Sequence, residues 1–356
     1  MLQPELTAAS VGGVRDGKWQ GIQDCVHCGL CLTSCPTYLS TGVEMSSPRG
    51  RLVLVRGSED GPAALSPAMV RHLDECVGCL ACEAACPSTV PYGRILEEVR
   101  EDIARDFRRG VPDRIFRWLL MQLFPYPVRL GALIGALSWS QRMGVTGWLS
   151  RSALVGRVVP RIAETVALVP TLPRAAERQP LPEVTPAEGP RRGRLALLSG
   201  CAQRALLPAI NRATVRVLTA AGYEVVVPRE QGCCGALHLH AGDAAGARRL
   251  ARELMQTFES AGSDLVVTNT AGCGAAMKAY GRLFQDDVAW QSRAATFADK
   301  VRDVSEILAG VAWNGRLRPL PLTVTYHDAC HLAHGQGIRN QPRALLRAIP
   351  ELRLIE

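Results

Sequence analysis

Aromatic side chains are scarce, making up 5% of the 356 residues, so the protein's cohesion must come from aliphatic packing, tight turns and some non-protein group. An apolar leader is missing as well. Residues 1–18 read MLQPELTAASVGGVRDGK, with no basic start followed by an apolar run, which points to a reducing, cytoplasmic setting. Long apolar runs are also absent. The most apolar stretch, from Ile115 to Trp148, is broken by Pro125, Pro127, Arg129 and Arg142, and only twelve residues separate the two arginines. A bilayer span needs ~20. The stretch is expected to form a pair of buried helices packing two domains together, the alternatives being docking to a partner subunit or peripheral contact with a membrane surface. Nucleic acid is a poor fit despite the net charge of +8, because Arg151, Arg157, Arg191, Arg192, Arg194, Arg248 and Arg249 are scattered with no interleaved aromatic stacking platforms.

What the chain does have is a hydrophobic fraction of 47% against 21% charged residues, which excludes a disordered chain. At ~150 residues per domain, the length suggests two domains. Thirteen cysteines stand out, eight of them in two tight groups within the first ninety residues. In a reducing compartment such groups read as metal ligands rather than disulfides.

Ser47-Pro48 and Ser66-Pro67 are helix starts, and Ile95, Leu96, Val99, Ile103 and Phe107 recur at helical spacing, so the first domain is mainly helical. Residues 170–192, rich in proline, read as a linker. Beyond it the period changes. Strands are expected at 194–200, 223–228 and 264–269, alternating with helices at 208–221 and 243–260, which argues for a parallel sheet. The pattern then restarts with a strand at 322–326, Cys330, a helix at 342–349 and a strand at 352–356. Cys330 precedes Leu354 by the 24 positions that separate Cys201 from Val225, so the sequence gives out inside a second unit.

Cys25-Val-His-Cys28-Gly-Leu-Cys31-Leu-Thr-Ser-Cys35-Pro36 is C-x2-C-x2-C-x3-C-P, and Cys76-Val-Gly-Cys79-Leu-Ala-Cys82-Glu-Ala-Ala-Cys86-Pro87 repeats it. In this arrangement three thiolates wrap one face of a [4Fe–4S] cubane while the fourth cysteine crosses to the neighbouring cluster. The expected ligands are Cys25, Cys28, Cys31 and Cys86 for one cluster, and Cys76, Cys79, Cys82 and Cys35 for the other. Zinc is the competing reading, but it takes two C-x2-C pairs per site rather than runs of four ending in proline. His27 is expected as an exposed spacer, the alternative being a hydrogen bond that tunes the cluster. Arg49 and Arg51 lie either against the clusters or a partner, or on a solvated helix start.

Cys201, Cys233, Cys234 and Cys273 form a second constellation, each just past a strand's carboxyl end, where open α/β sheets bind ligands. Flanking glycines suggest that Gly232-Cys-Cys-Gly235 is an exposed, strained loop. The four thiols are a candidate further redox site, for iron–sulfur or for disulfide chemistry; buried cysteines acting as small hydrophobes are the plain alternative. His238, His240, His327, His331 and His334 are candidate ligands or proton donors, with His240 and His334 read as loop residues. Gly335-Gln-Gly337 lacks the third glycine of a dinucleotide fingerprint, and no FAD or NAD is expected in this chain.

The two ferredoxin motifs, the Ser47-Pro-Arg-Gly-Arg51 segment between them and the Gly-Cys-Cys-Gly unit together resemble the iron–sulfur subunit of bacterial glycolate oxidase. Heterodisulfide reductase subunits, the anaerobic glycerol-3-phosphate dehydrogenase small subunit and lactate-utilisation proteins share the domain pairing. The resemblance implies an oxidoreductase subunit that carries electrons from an FAD-containing partner, which oxidises glycolate to glyoxylate, towards a respiratory acceptor such as quinone. It assigns no catalytic residue to this chain, and substrate oxidation by the chain alone is not expected. Two departures stand out. Cys273 is followed by Gly274, Ala275 and Ala276 rather than a C-x2-C, and the second unit has Cys330 but no CCG. The expected fold is mainly α with α/β: a helical double [4Fe–4S] ferredoxin domain at 1–110, a helical connector at 111–169, the linker at 170–192, and an α/β cysteine-rich domain with a parallel sheet at 193–356.

Overall fold

The computed structural model describes residues 19, 21–57, 65–145, 147, 171–313 and 315–356. Arg151, Arg157 and the rest of the expected connector beyond residue 147 lie outside them. Contacts divide the chain into Met1–Phe107 and Arg108–Glu356.

The first unit is helical: α1 (Pro36–Thr41), α2 (Pro48–Arg56), α3 (Pro67–Asp74), α4 (Ala81–Ala84) and α5 (Tyr92–Asp106). The Ser-Pro starts act as read, with Ser47 Oγ accepting from Gly50 N at 3.0 Å and Ser66 Oγ from Met69 N at 3.2 Å. Ile95, Leu96, Val99 and Ile103 of α5 bury against Leu52 and Val55 of α2 and Val70 and Leu73 of α3. Gly50 must be glycine: a Cβ there would lie 2.0 Å from the Glu44 carbonyl oxygen, so α2 could not lie this close to the turn before it.

In the second unit, α6 (Val111–Leu123) and α7 (Pro127–Arg142) are not the buried pair expected from their composition. No residue of α6 is buried, and Val111, Ile115, Phe116, Trp118 and Leu119 face solvent. Only one stripe of α7 packs: Leu130 and Ile134 join Leu172 and Ala205 in a small core of their own. Apolar content alone does not determine burial; that requires a partner surface.

The proline-rich stretch expected as a linker carries a strand, β1 (Val184–Thr185), which pairs antiparallel with β3 (Tyr223–Val226). β2 (Gly193–Leu198), β3, β4 (Leu265–Thr268) and β5 (Val301–Asp303) are mutually parallel, in the order β1-β3-β2-β4-β5. β2 is buried on both faces. Leu195 and Leu197 pack with Val215 and Leu218 of α9 (Pro208–Ala220), while Ala196 and Leu198 pack with Leu250, Leu254 and Phe258 of α11 (Ala244–Ser260). The chain leaves β2 to one side for β3 and returns to its other side for β4, a topological switch point. β6 (Thr323–Thr325) and β7 (Arg353–Ile355) form a separate parallel pair with Val324 opposite Leu354. The fold is mainly α with α/β, as the sequence implied.

Candidate metal centres

The two cysteine loops of the first unit share one backbone shape. His27 and Gly78, each two residues past the first cysteine, have φ of 56° and 65°; Gly29 and Leu80, each just past the second, have 86° and 62°. Left-handed residues recurring within a turn bring successive N–H groups to one side, forming the kind of concavity that holds anionic iron–sulfur groups. A histidine and a leucine held at positive φ mark strain retained at a working site. His27 is exposed, as expected. Its Nδ1 lies 4.0 Å from Cys25 Sγ, and its Nε2 faces Arg56 Nη1 at 2.9 Å.

Burial holds the Cys31 thiol above its usual range, against backbone N–H groups of Arg49 and Cys31 that favour the thiolate. Cys25 and Cys28 are within electrostatic reach of Cys31, as Cys76 and Cys79 are of Cys82. Burial also pushes Cys82 up, and Cys31 adds to that shift, so the two loops adjoin. Among the described residues no three His, Cys, Asp or Glu side chains close on a point as the ligands of a single metal ion do, so the fit to a larger group rests on the loops.

The arginines of Ser-Pro-Arg-Gly-Arg divide. Arg49 ties the first loop to the α2 start, through Nη1 to the His27 carbonyl at 3.1 Å and Nε to Glu44 at 2.6 Å. Arg51 is 1% exposed, which overturns the solvated helix-start reading. Its Nε donates to the His72 carbonyl at 2.6 Å, its charge faces Tyr92, Cys76 and Cys35, and its Nη2 is buried without a partner among the described residues. An orphaned guanidinium nitrogen among cysteines is what an anionic cluster would satisfy. Tyr92, whose hydroxyl donates to Cys76 Sγ at 3.6 Å, and Arg100, whose Nη2 donates to the Cys76 carbonyl at 2.7 Å, carried no chemical signal in the sequence. Tyr92 could be seen only as an apolar position of α5.

In the second unit Cys201 opens α8 (Cys201–Leu206) after β2, Cys233 and Cys234 follow β3, and Cys273 lies in α12 (Ala271–Lys278) after β4, so the switch point gathers all four. Cys201 donates to Cys233 Sγ at 3.6 Å, and Cys233 faces Cys234 as Cys234 faces Cys273 within electrostatic reach. The pair is not an exposed loop: Cys233 is 1% and Cys234 4% exposed, packed in the core with Leu250 and Tyr280. The Tyr280 hydroxyl donates to the Cys234 carbonyl at 2.8 Å. Gly235, at φ 82°, turns the chain so closely that a Cβ would lie 2.8 Å from the Ala247 oxygen.

Cys201, Cys233 and Cys234 hold their protons. At Cys233, acceptance from Cys201 lowers the pKa, but donation to Cys234 and burial outweigh it, and the group is pushed up to about 12. Cys201 is raised by its hydrogen bond to Cys233 and by burial. Such thiols are poor nucleophiles, which disfavours the thiol–disulfide alternative. The half-buried cation of Arg204 faces Cys201 and Cys233, but among the described residues no three of these sulfurs close on a point as the ligands of a single metal ion do.

A polar network sets the loop ends. Asn211 takes Gln203 Nε2 at 2.7 Å and gives Nδ2 to the Ser199 carbonyl at 2.7 Å, while Asn269 reaches Asn211 at 3.0 Å and Thr214 at 2.7 Å. Of the histidines, His238 is buried with Nδ1 2.6 Å from Asp243, His240 lies beside His331, and His334 takes Arg339 at 3.0 Å. His327 and Cys330 are exposed. Gln336 of the glycine pair simply donates to the Ala271 carbonyl at 3.0 Å.

Three families match the chain: "4Fe-4S dicluster domain" over residues 21–90, "Glycolate oxidase iron-sulfur subunit, linker region" over 112–169, and "Cysteine-rich domain" over 195–278 and 324–356. The chain is 37% identical over 331 residues to the "Probable glycolate oxidase iron-sulfur subunit" of Bacillus subtilis, covering 92% of this chain and 74% of that one. It is 32% identical over 338 residues to the "Glycolate oxidase iron-sulfur subunit" of Escherichia coli, covering 91% and 74%. "Lactate utilization protein A" of Exiguobacterium is 32% identical over 162 residues, covering 45% and 66%. No solved structure matches significantly.

Proposed function

This chain belongs to the family of glycolate oxidase iron–sulfur subunits and is an electron-transfer subunit of an oxidoreductase complex, and from that premise we propose that it serves glycolate oxidation itself. In this reading an FAD-containing partner converts glycolate to glyoxylate, and the chain passes the electrons towards quinone. Cys25, Cys28, Cys31 and Cys86 hold one [4Fe–4S] cluster, and Cys76, Cys79, Cys82 and Cys35 hold the other; each supplies one-electron storage between flavin and acceptor. Cys201, Cys233, Cys234 and Cys273 hold a further redox centre. The division into 1–110, 111–169, 170–192 and 193–356 belongs to the same reading.

The observation that carries it is the paired loop geometry, left-handed at the same two positions in both motifs, with Arg51 buried beside them. The protein's own residues shape those loops, aim N–H groups at the sulfurs and keep water from Cys35 and Cys82. The complex works on the cytoplasmic side with at most peripheral membrane contact. No single described helix is long and apolar enough to cross a membrane, and α6 and α7 together bend by 107°.

The test is anaerobic co-purification with the partner subunits, followed by glycolate-dependent reduction of a soluble quinone. Quinone reduction with glycolate supports the reading. A complex that reduces quinone with lactate or glycerol 3-phosphate but not with glycolate overturns it.

A further inference from the structure

The two ligand sets differ in their surroundings. In the set of Cys25, Cys28, Cys31 and Cys86 none is buried and Cys28 is exposed, whereas in the other both Cys35 and Cys82 are buried. Adding an electron to a buried anionic group is penalised by the loss of solvation, so burial alone would make the second cluster the harder one to reduce. Glu83, whose charge faces Cys82, pushes the same way.

Two groups on this side oppose that penalty. Arg51, at 1% exposure, faces Cys76 and Cys35, which come from different motifs but are assigned to the same cluster, and it leaves Nη2 buried without a described partner. Tyr92, buried and facing the Arg51 charge, donates its hydroxyl to Cys76 Sγ at 3.6 Å. A buried cation and a hydrogen bond to a ligand sulfur both stabilise the more negative, reduced form. The first loop's counterparts are exposed or already paired: His27 Nδ1 lies 4.0 Å from Cys25 Sγ with its Nε2 facing Arg56 Nη1, both contacts open to solvent, and Arg49 is engaged by Glu44 at 2.6 Å and is only half-buried.

We propose that Arg51 and Tyr92 are the positioning residues that raise the reduction potential of the cluster held by Cys35, Cys76, Cys79 and Cys82, offsetting its burial, and leave the neighbouring cluster untouched. The proposal rests on the two-cluster reading above. It assigns a task to an arginine and a tyrosine that bind no metal.

The experiment is a potentiometric titration of the full-length, cluster-loaded chain followed by electron paramagnetic resonance. The signal belonging to this cluster is the one altered in Cys79→Ser. In Tyr92→Phe, which removes only the hydroxyl, that signal should shift so that its reduction equilibrium constant falls roughly threefold. In Arg51→Gln it should fall at least tenfold, about 59 mV for one electron, and in Arg51→Lys, which keeps the charge, by less. The other signal should not move. Equal movement of both signals, or no movement in Tyr92→Phe and Arg51→Lys, overturns the proposal even if Arg51→Gln loads poorly. A chain that never shows a reducible cluster signal overturns the two-cluster reading as well, so the two failures are distinguishable.

Discussion

The Cys201 thiol donates to Cys233 Sγ at 3.6 Å, and Cys234 lies within electrostatic reach of both Cys233 and Cys273. Burial and the neighbouring sulfurs hold the protons of Cys201, Cys233 and Cys234. With Cys233 pushed up to about 12, it is a thiol rather than a thiolate at pH 8.

Alkylation should therefore discriminate among the cysteines. Iodoacetamide at pH 8 should modify the exposed Cys330 and leave Cys233 and Cys234 unmodified, as read by peptide mass spectrometry. Modification of Cys233 at pH 7 would restore the thiol–disulfide reading.

Asp243 caps α11, with Oδ1 accepting from Gly246 N at 2.8 Å and Oδ2 2.6 Å from His238 Nδ1. Burial pushes its carboxyl up, but the bonds from His238 and Gly246 more than offset this and hold it below the usual range. Asp243→Ala should cost ~1 kcal/mol from the cap alone. Because the folded pKa is depressed, the contribution is full above the carboxyl's unfolded value and is lost as pH falls through the folded one. Denaturant midpoints of wild type and Asp243→Asn should therefore converge in acid. A difference that grows on acidification would contradict the assignment.

Regular periodicity made much of this fold legible. The Ser-Pro caps, the α5 spacing and the alternation of β2, α9, β3, α11 and β4 were all readable, because each repeats a local rule many times. The meeting of Cys201, Cys233, Cys234 and Cys273 at one sheet edge was readable because each follows the carboxyl end of a strand. Burial of charge was not readable. Arg51 and a surface arginine look alike in sequence, and only the close packing that Gly50 permits decides between them. Val301–Asp303 was missed as β5 because three residues show no period; its one clue was Asp303 and Glu306, which form a capping box at the helix that follows. The α6 face failed for the opposite reason, apolar in sequence yet unpaired in the fold.

Crossed ligation makes a sharp prediction. Iron and acid-labile sulfide should each approach ~8 per chain with only the two [4Fe–4S] sites filled. Cys31→Ser should damage the cluster shared with Cys86 and destabilise the whole first unit, since metal binding and folding are coupled in such sites. Thermal unfolding followed with iron content tests this. If Cys31→Ser and Cys82→Ser each removed a cluster whose other ligands all came from its own motif, the crossing would be wrong.

The last prediction locates the chemical step. Oxidising a 2-hydroxy acid removes two electrons from one carbon, which requires a cofactor beside that carbon. The eight cysteines of the two ferredoxin motifs suit onward transfer of single electrons rather than that first step. Purified alone with its clusters loaded, the chain should show no glycolate-dependent dye reduction. In the assembled complex, Cys79→Ala should abolish transfer to quinone while leaving single-turnover reduction of the flavin by glycolate within about twofold of wild type, because the mutation interrupts the path after the flavin has already accepted its electrons. Stopped-flow flavin bleaching separates the two steps. Loss of bleaching in an assembled complex would place the cluster loops in the chemical step itself, and the division of labour between the subunits would have to be redrawn.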